Sequence, residues 1–357
     1  MEMADFAIES GANIVTFGAA GIGKTEIFMQ RSVAANRRYI YLNLSVIEAP
    51  DLMGLMERTA EGKTRYCIPD KFRRLEERRD DKDDGDVLIV DELDKARPEL
   101  QNPMLELFQY RSINGEKLNI KAVMATGNLP DENAFSQPVS HALMNRCLVY
   151  KTEATFDPWM KWAVDNHVNG LVVGFLSRNP HLLITKPPEN DETAYLHGTP
   201  RSWTNAANKL DLAAGKDVAF QTRIVSGFVG TGLAANFRVW LDHSRHIQPA
   251  VDALVQHGTH PVIKDTDGLE RLFIFGIAGA GAIMQAAQRV DGGKMEAKEL
   301  KRITTNVMGW MKGVPPEYAI GALKSVLTMD VITKHELMRV DAFMAKFVEI
   351  RQAWEKK

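Results

Sequence analysis

Apolar residues change rhythm along the chain near Tyr150. Before it they come in short, β-branched runs: NIVTF at 13–17, YIYLN at 39–43, VLIV at 87–90 and IKAVMAT at 120–126. Brief runs bounded by turn residues read as strands, and unbroken apolar ones suit strands covered on both faces, as in a parallel sheet. Residues 24–33, after the first run, read as a helix. Beyond Tyr150 the spacing is helical, first over 157–176 and 202–214, then through FVGTGLAANFRVWLDHS, LFIFGIAGAGAIMQAAQRV, ELKRITTNVMGWMKG and the last stretch of the chain. The longest apolar run, 272–284, is too short to span a bilayer. Gly276, Gly279 and Gly281 inside it read as packing glycines.

Composition changes this picture little. The 357 residues are 45% hydrophobic and 25% charged with net charge −2, enough chain for two or three packed units and no electrostatic footprint for nucleic acid. Two cysteines, Cys67 and Cys147, point to a reducing compartment without a disulfide framework. The acidic N-terminal stretch MEMADFAIES lacks the basic region of a signal peptide, so a soluble cytoplasmic protein with no membrane segment is expected.

Chemistry enters at the end of the first run. Gly18-Ala19-Ala20-Gly21-Ile22-Gly23-Lys24-Thr25 satisfies G-x-x-x-x-G-K-[ST] at every required position, with Glu26 following. Glycines let the loop turn its N–H groups inward onto phosphate oxygens, and the following helix adds its positive N-terminal end. Lys24 is suited to the β- and γ-phosphates and the Thr25 hydroxyl to Mg²⁺. The strand–loop–helix context supports a phosphate site, so ATP and Mg²⁺ are the expected ligands. The run 87–90 then ends in Asp91 and Glu92. Asp91 at a strand's carboxyl end can hold the Mg²⁺ hydration shell, and Glu92 can orient and activate the attacking water.

The Lys24–Thr25 loop, VLIVDELDKA and NPMLELFQYRSINGEKL together resemble an AAA+ ATPase of the MoxR-like group, over roughly residues 10–210. The resemblance implies a P-loop NTPase α/β core, a parallel sheet with helices on both faces, followed by an all-α lid. It gives later residues their roles. Asn128, after IKAVMAT, is similar to sensor 1 and would help position the lytic water. Arg146 in HALMNRC resembles an arginine finger reaching the neighbouring subunit's γ-phosphate. Arg201 in GTPRSW resembles sensor 2, and Asn43 a polar switch restraining Glu92. Cys147 stands where relatives commonly have phenylalanine, a difference of packing rather than chemistry. The segment before the P-loop is also shorter than is usual in the group, which bears on adenine specificity.

The same resemblance makes residues 51–72 a pore-facing insert and residues 110–120 a second hairpin, whose Asn114-Gly115 is independently a two-residue turn signal. The charge run 71–86 reads as a solvated helix end and loop. Domains are expected at 1–153 (ATP-binding core), 154–235 (lid with sensor 2) and 236–357 (helical extension of unassigned role). His243 with His246 and His257 with His260 lack a further ligand, so no metal is assigned to them. The expected protein is an ATP-hydrolysing remodelling ATPase or chaperone acting as a homo-oligomeric ring, a hexamer by resemblance. It would act on a protein client, with a separate von Willebrand factor A domain protein as the partner the resemblance suggests. A nucleic-acid motor or loader and a nucleotide-gated scaffold are the alternatives. The net charge opposes the first, and intact Glu92, Asn128 and Arg146 oppose the second.

Overall fold

The computed structural model describes residues 2–73, 85–129, 137–187, 195–259, 269–324, 326–327 and 329–355. Most of the charge run, residues 74–84, lies outside these, as does His260. The chain forms two compact units, Met1–Glu153 and Ala154–Lys357.

The first unit opens with α1 (Glu2–Ser10), β1 (Asn13–Phe17), α2 (Lys24–Ala34) and β2 (Tyr39–Asn43). A short α3 (Ala49–Met53) leads into β3 (Leu55–Arg58) and β4 (Thr64–Cys67), and α4 (Asp70–Arg73) follows. Next come β5 (Asp86–Asp91), α5 (Pro98–Tyr110), β6 (Ser112–Ile113), β7 (Glu116–Lys117), β8 (Ile120–Gly127), α6 (His141–Met144) and β9 (Leu148–Lys151). The main sheet has order β2-β5-β8-β1-β9 with all four pairings parallel. Strand alternation divides its side chains between two cores. Ile14, Val87, Ile89 and Met124 meet Ala4, Ala7 and Ile8 of α1 and Phe28 of α2 on one face. Val15, Leu88, Val90, Val123 and Ala125 meet Leu100, Met104, Leu107 and Phe108 of α5 on the other. Helices thus cover both faces, which is why these strands read as apolar runs.

Parallel register brings the chemistry to one edge of the sheet. Phe17 pairs with Gly127 and Asn43 with Asp91, so the P-loop, Asp91 and Asn128 all leave carboxyl ends of neighbouring strands. That edge is the usual ligand crevice of an open α/β sheet.

Both expected hairpins form. The first pairs β3 with β4, Leu55 opposite Cys67. The second pairs β6 with β7 around Asn114 (φ 51°) and Gly115 (φ 83°), as a turn with two left-handed residues requires.

The second unit is helical: α7 (Phe156–Asp165), α8 (Gly170–Arg178), α9 (Pro200–Leu212), α10 (Val218–Val229), α11 (Thr231–His257), α12 (Leu269–Asp291), α13 (Ala297–Met311), α14 (Pro316–Lys324), α15 (Met329–Lys334) and α16 (Asp341–Glu355). One core runs through it, with the Phe175 ring against those of Trp203, Phe237 and Trp240, and Trp203 against Phe237. The single helix expected over 157–176 is two helices. His167 takes φ 55°, and the Asn169 side chain caps α8 by accepting from Leu171 N at 2.9 Å. The boundary expected between 235 and 236 falls inside α11, where Ala234 and Phe237 on either side share that core. Of the three α12 glycines, a Cβ at Gly276 would sit 2.9 Å from Ala322 Cβ, and one at Gly279 3.0 Å from Val307 Cγ1. Gly281 has open space, so close packing accounts for the first two only.

Candidate functional site

The loop between β1 and α2 is shaped by its glycines. Gly23 enters α2 at φ 90°, a left-handed conformation that an L side chain adopts only under strain, and a Cβ at Gly18 would stand 2.3 Å from the Thr152 carbonyl oxygen. Lys24, 8% exposed, folds back over the loop. Its Nζ donates to Gly18 O at 2.7 Å, Ala19 O at 2.8 Å and Asn128 Oδ1 at 3.1 Å. Ile22 is buried beneath the loop, while Ala20 and Glu26 stand exposed at its rim.

Asp91 is the hub of the acidic side. Its Oδ1 accepts from Thr25 Oγ1 at 2.9 Å, from Glu92 N at 3.1 Å and from Thr126 Oγ1. Its Oδ2 accepts from the Tyr41 hydroxyl at 2.9 Å. Burial, and then the carboxylate of Asp91, push that phenol up to about 12, so it is protonated and donating near neutrality.

Glu92 has left-handed backbone angles, φ 57° and ψ 45°. A non-glycine residue there carries strain on the order of 1 kcal/mol or more, of the kind that clusters at active sites. Its carboxylate is ion-paired with Lys95 at 2.9 Å. Asn43 Oδ1 instead accepts from Ser45 N at 2.9 Å and Ser45 Oγ at 2.7 Å, so the proposed switch and Glu92 each bond elsewhere. Buried Asp94 accepts from Asn128 N at 2.9 Å and so fixes the residue after β8.

Lys24, Thr25, Asp91 and Asn128 therefore come together, with Glu92 adjoining. Arg146 lies apart and exposed, in the turn after α6, with Nε donating to Gln109 Oε1 at 2.7 Å. Arg201, also exposed, begins α9 of the second unit behind the Thr199 cap. The motifs did not single out Tyr41, Thr126, Lys95 or Asp94. Period-two alternation in YIYLN does put Tyr41 on the same face as Asn43, which was the one available signal.

These residues fit a phosphate and a hard cation. A glycine loop opens a helix beside a buried ammonium, and a hydroxyl and a carboxylate oxygen 2.9 Å apart offer the oxygen donors that Mg²⁺ takes. Sheet, loop and acids define a P-loop nucleotide-binding α/β unit. More particularly, residues 13–147 match the AAA domain (dynein-related subfamily), and the chain carries an AAA+ fold with a helical extension. Comparison with curated proteins gives no match. Among solved structures, NtrX from Brucella abortus in complex with ADP is 14% identical, covering 95% of this chain and 66% of that one at TM-score 0.38. A second NtrX structure is 13% identical, covering 85% and 66% at TM-score 0.32. The chain thus spans just under two thirds of the length of either. No helix among the described residues is long and apolar enough to cross a membrane.

Proposed function

We propose that this protein is an ATP-hydrolysing AAA+ remodelling ATPase of MoxR-like type, working as a homo-oligomeric ring on a protein client. The observation that carries the reading is the junction of Thr25 Oγ1 with Asp91 Oδ1, beside Lys24 Nζ on Asn128 Oδ1. The groups that this reading assigns to phosphate, metal and water lie within hydrogen-bond reach of one another there.

On this reading the P-loop N–H groups from Gly18 to Thr25 hold the phosphates, and Lys24 exchanges the Gly18 and Ala19 carbonyls for phosphate oxygens. Thr25 and Asp91 would hold Mg²⁺, which when bound would offset phosphate charge. Glu92, released from Lys95, accepts a proton from the attacking water while Asn128 aligns that water. Arg146 of a neighbouring copy stabilises charge developing on the γ-phosphate, and its exposure suits action in trans. Arg201 couples hydrolysis to the helical unit. The hairpins within residues 51–72 and 110–120 deliver the motion to the client, with a von Willebrand factor A domain protein as partner. A cytoplasmic setting accords with this reading.

Turnover and native mass of wild type and Glu92→Gln test it. Wild type should hydrolyse ATP slowly and assemble with nucleotide. Glu92→Gln should assemble but turn over at least ~100-fold slower, the scale of a lost general base. Equal rates would remove Glu92 from its role.

A further inference from the structure

The two oxygens of Asp91 are held differently. Oδ1 collects three donors: Thr25 Oγ1, Thr126 Oγ1 and Glu92 N. Oδ2 takes the hydroxyl of Tyr41, from the adjacent edge strand β2. Register explains the reach. Tyr41 pairs with Ile89 and Asn43 with Asp91, so Tyr41 and Asp91 stand on the same face two positions apart along the strands. Tyr41 is 41% exposed and lies outside the buried core, and its hydroxyl reaches Asp91.

A carboxylate gripped at one oxygen keeps a broad, roughly two-fold terminal torsion. Gripping the second oxygen fixes the plane of the group. When Thr25 turns its hydroxyl to a cation, Asp91 loses one donor on Oδ1, and the Tyr41 bond on Oδ2 remains to hold the carboxylate in place. We propose that Tyr41 is a positioning residue for the cation site, setting the orientation in which Asp91 meets the Mg²⁺ hydration shell. The inference rests on the reading of Asp91 as the metal-holding acid. On this inference Tyr41 acts through Asp91 and not on nucleotide or metal directly.

The test is equilibrium binding of a fluorescent N-methylanthraniloyl-ADP to the full chain, in EDTA and across a Mg²⁺ titration. ADP is not hydrolysed, so the readout is independent of turnover. Tyr41→Phe should bind the probe in EDTA within about twofold of wild type, while its Mg²⁺ midpoint rises about 10-fold, at the lower end for outer-shell partners of metal ligands. Asp91→Asn should raise that midpoint further, and Lys24→Ala should weaken binding in both conditions. A wild-type midpoint in Tyr41→Phe, with that of Asp91→Asn raised, overturns the role of Tyr41 alone. Equal weakening of Tyr41→Phe in EDTA and Mg²⁺ also overturns it, as a general structural effect. An unshifted Asp91→Asn, or full binding by Lys24→Ala, sinks the underlying reading and this inference with it.

Discussion

Cys147 carries a thiol that its surroundings keep protonated. Burial pushes it up to about 12, with the charges of Arg111 and then Arg146 pulling weakly the other way. Thiolate is the reactive form, so at pH 8 this partly buried thiol should react slowly while the chain is folded. Cys67 stands exposed on β4. Ellman's reagent at pH 8 should therefore modify one thiol quickly in the native protein and two in denaturant, and Cys67→Ser should abolish the fast reaction. Fast modification of folded Cys67→Ser would contradict the assignment. Residues also differ in how far they could be read ahead. Lys24, Thr25 and Asp91 follow from spacing and strand position. Tyr41, Thr126 and Lys95 are common surface types, and only strand pairing and the left-handed turn at Glu92 bring them to the acids.

Among the elements, α5 does more than cover the sheet. It follows the Glu92 turn, and near its end Glu106 accepts from Ser112 Oγ at 2.8 Å, Asn114 N at 3.1 Å and Gly115 N at 2.8 Å. One carboxylate thus fixes the β6–β7 turn. The Asn114 side chain in turn donates to Met53 O at 2.6 Å, where α3 gives way to the β3–β4 hairpin. The two hairpins are tied together, and both are tied to the helix that follows Asp91 and Glu92 in the chain. Hydrogen bonds to a charged group contribute about 1.5–3 kcal/mol each at most, and partial exposure reduces this. Glu106→Ala should speed amide exchange over residues 110–118, and to a lesser degree over 51–58, leaving β5 and β8 unchanged. Unaltered exchange at Asn114 and Gly115 would remove Glu106 as the clamp. The Asn114-Gly115 turn was legible from local chemistry. Its attachment to Met53, 61 residues away, was not.

For the whole molecule, the proposed completion of the site by another copy requires an Arg146 free to reach outward. It is exposed and bonded to Gln109 and the Ala142 carbonyl rather than to the P-loop. If Arg146 acts in trans as proposed, mixing Arg146→Ala with Lys24→Ala should restore part of the activity lost in each alone, since some interfaces would then pair an intact Lys24 with an intact Arg146. No recovery in mixed assemblies of verified composition would place Arg146 outside the site. The sheet, the P-loop and the position of the acids could be read from the chain alone, because buried parallel strands demand apolar runs and phosphate binding demands glycine and lysine at set spacing. The edge strand β9, the break at His167 and the first helix could not, because partly exposed or short segments leave no clear period. The sequence by itself determined which groups could bind a nucleotide. Only the tertiary structure decided which of them share Asp91, because that depends on strand order and register, which bring residues of β2, β5 and β8 together from distant points of the chain.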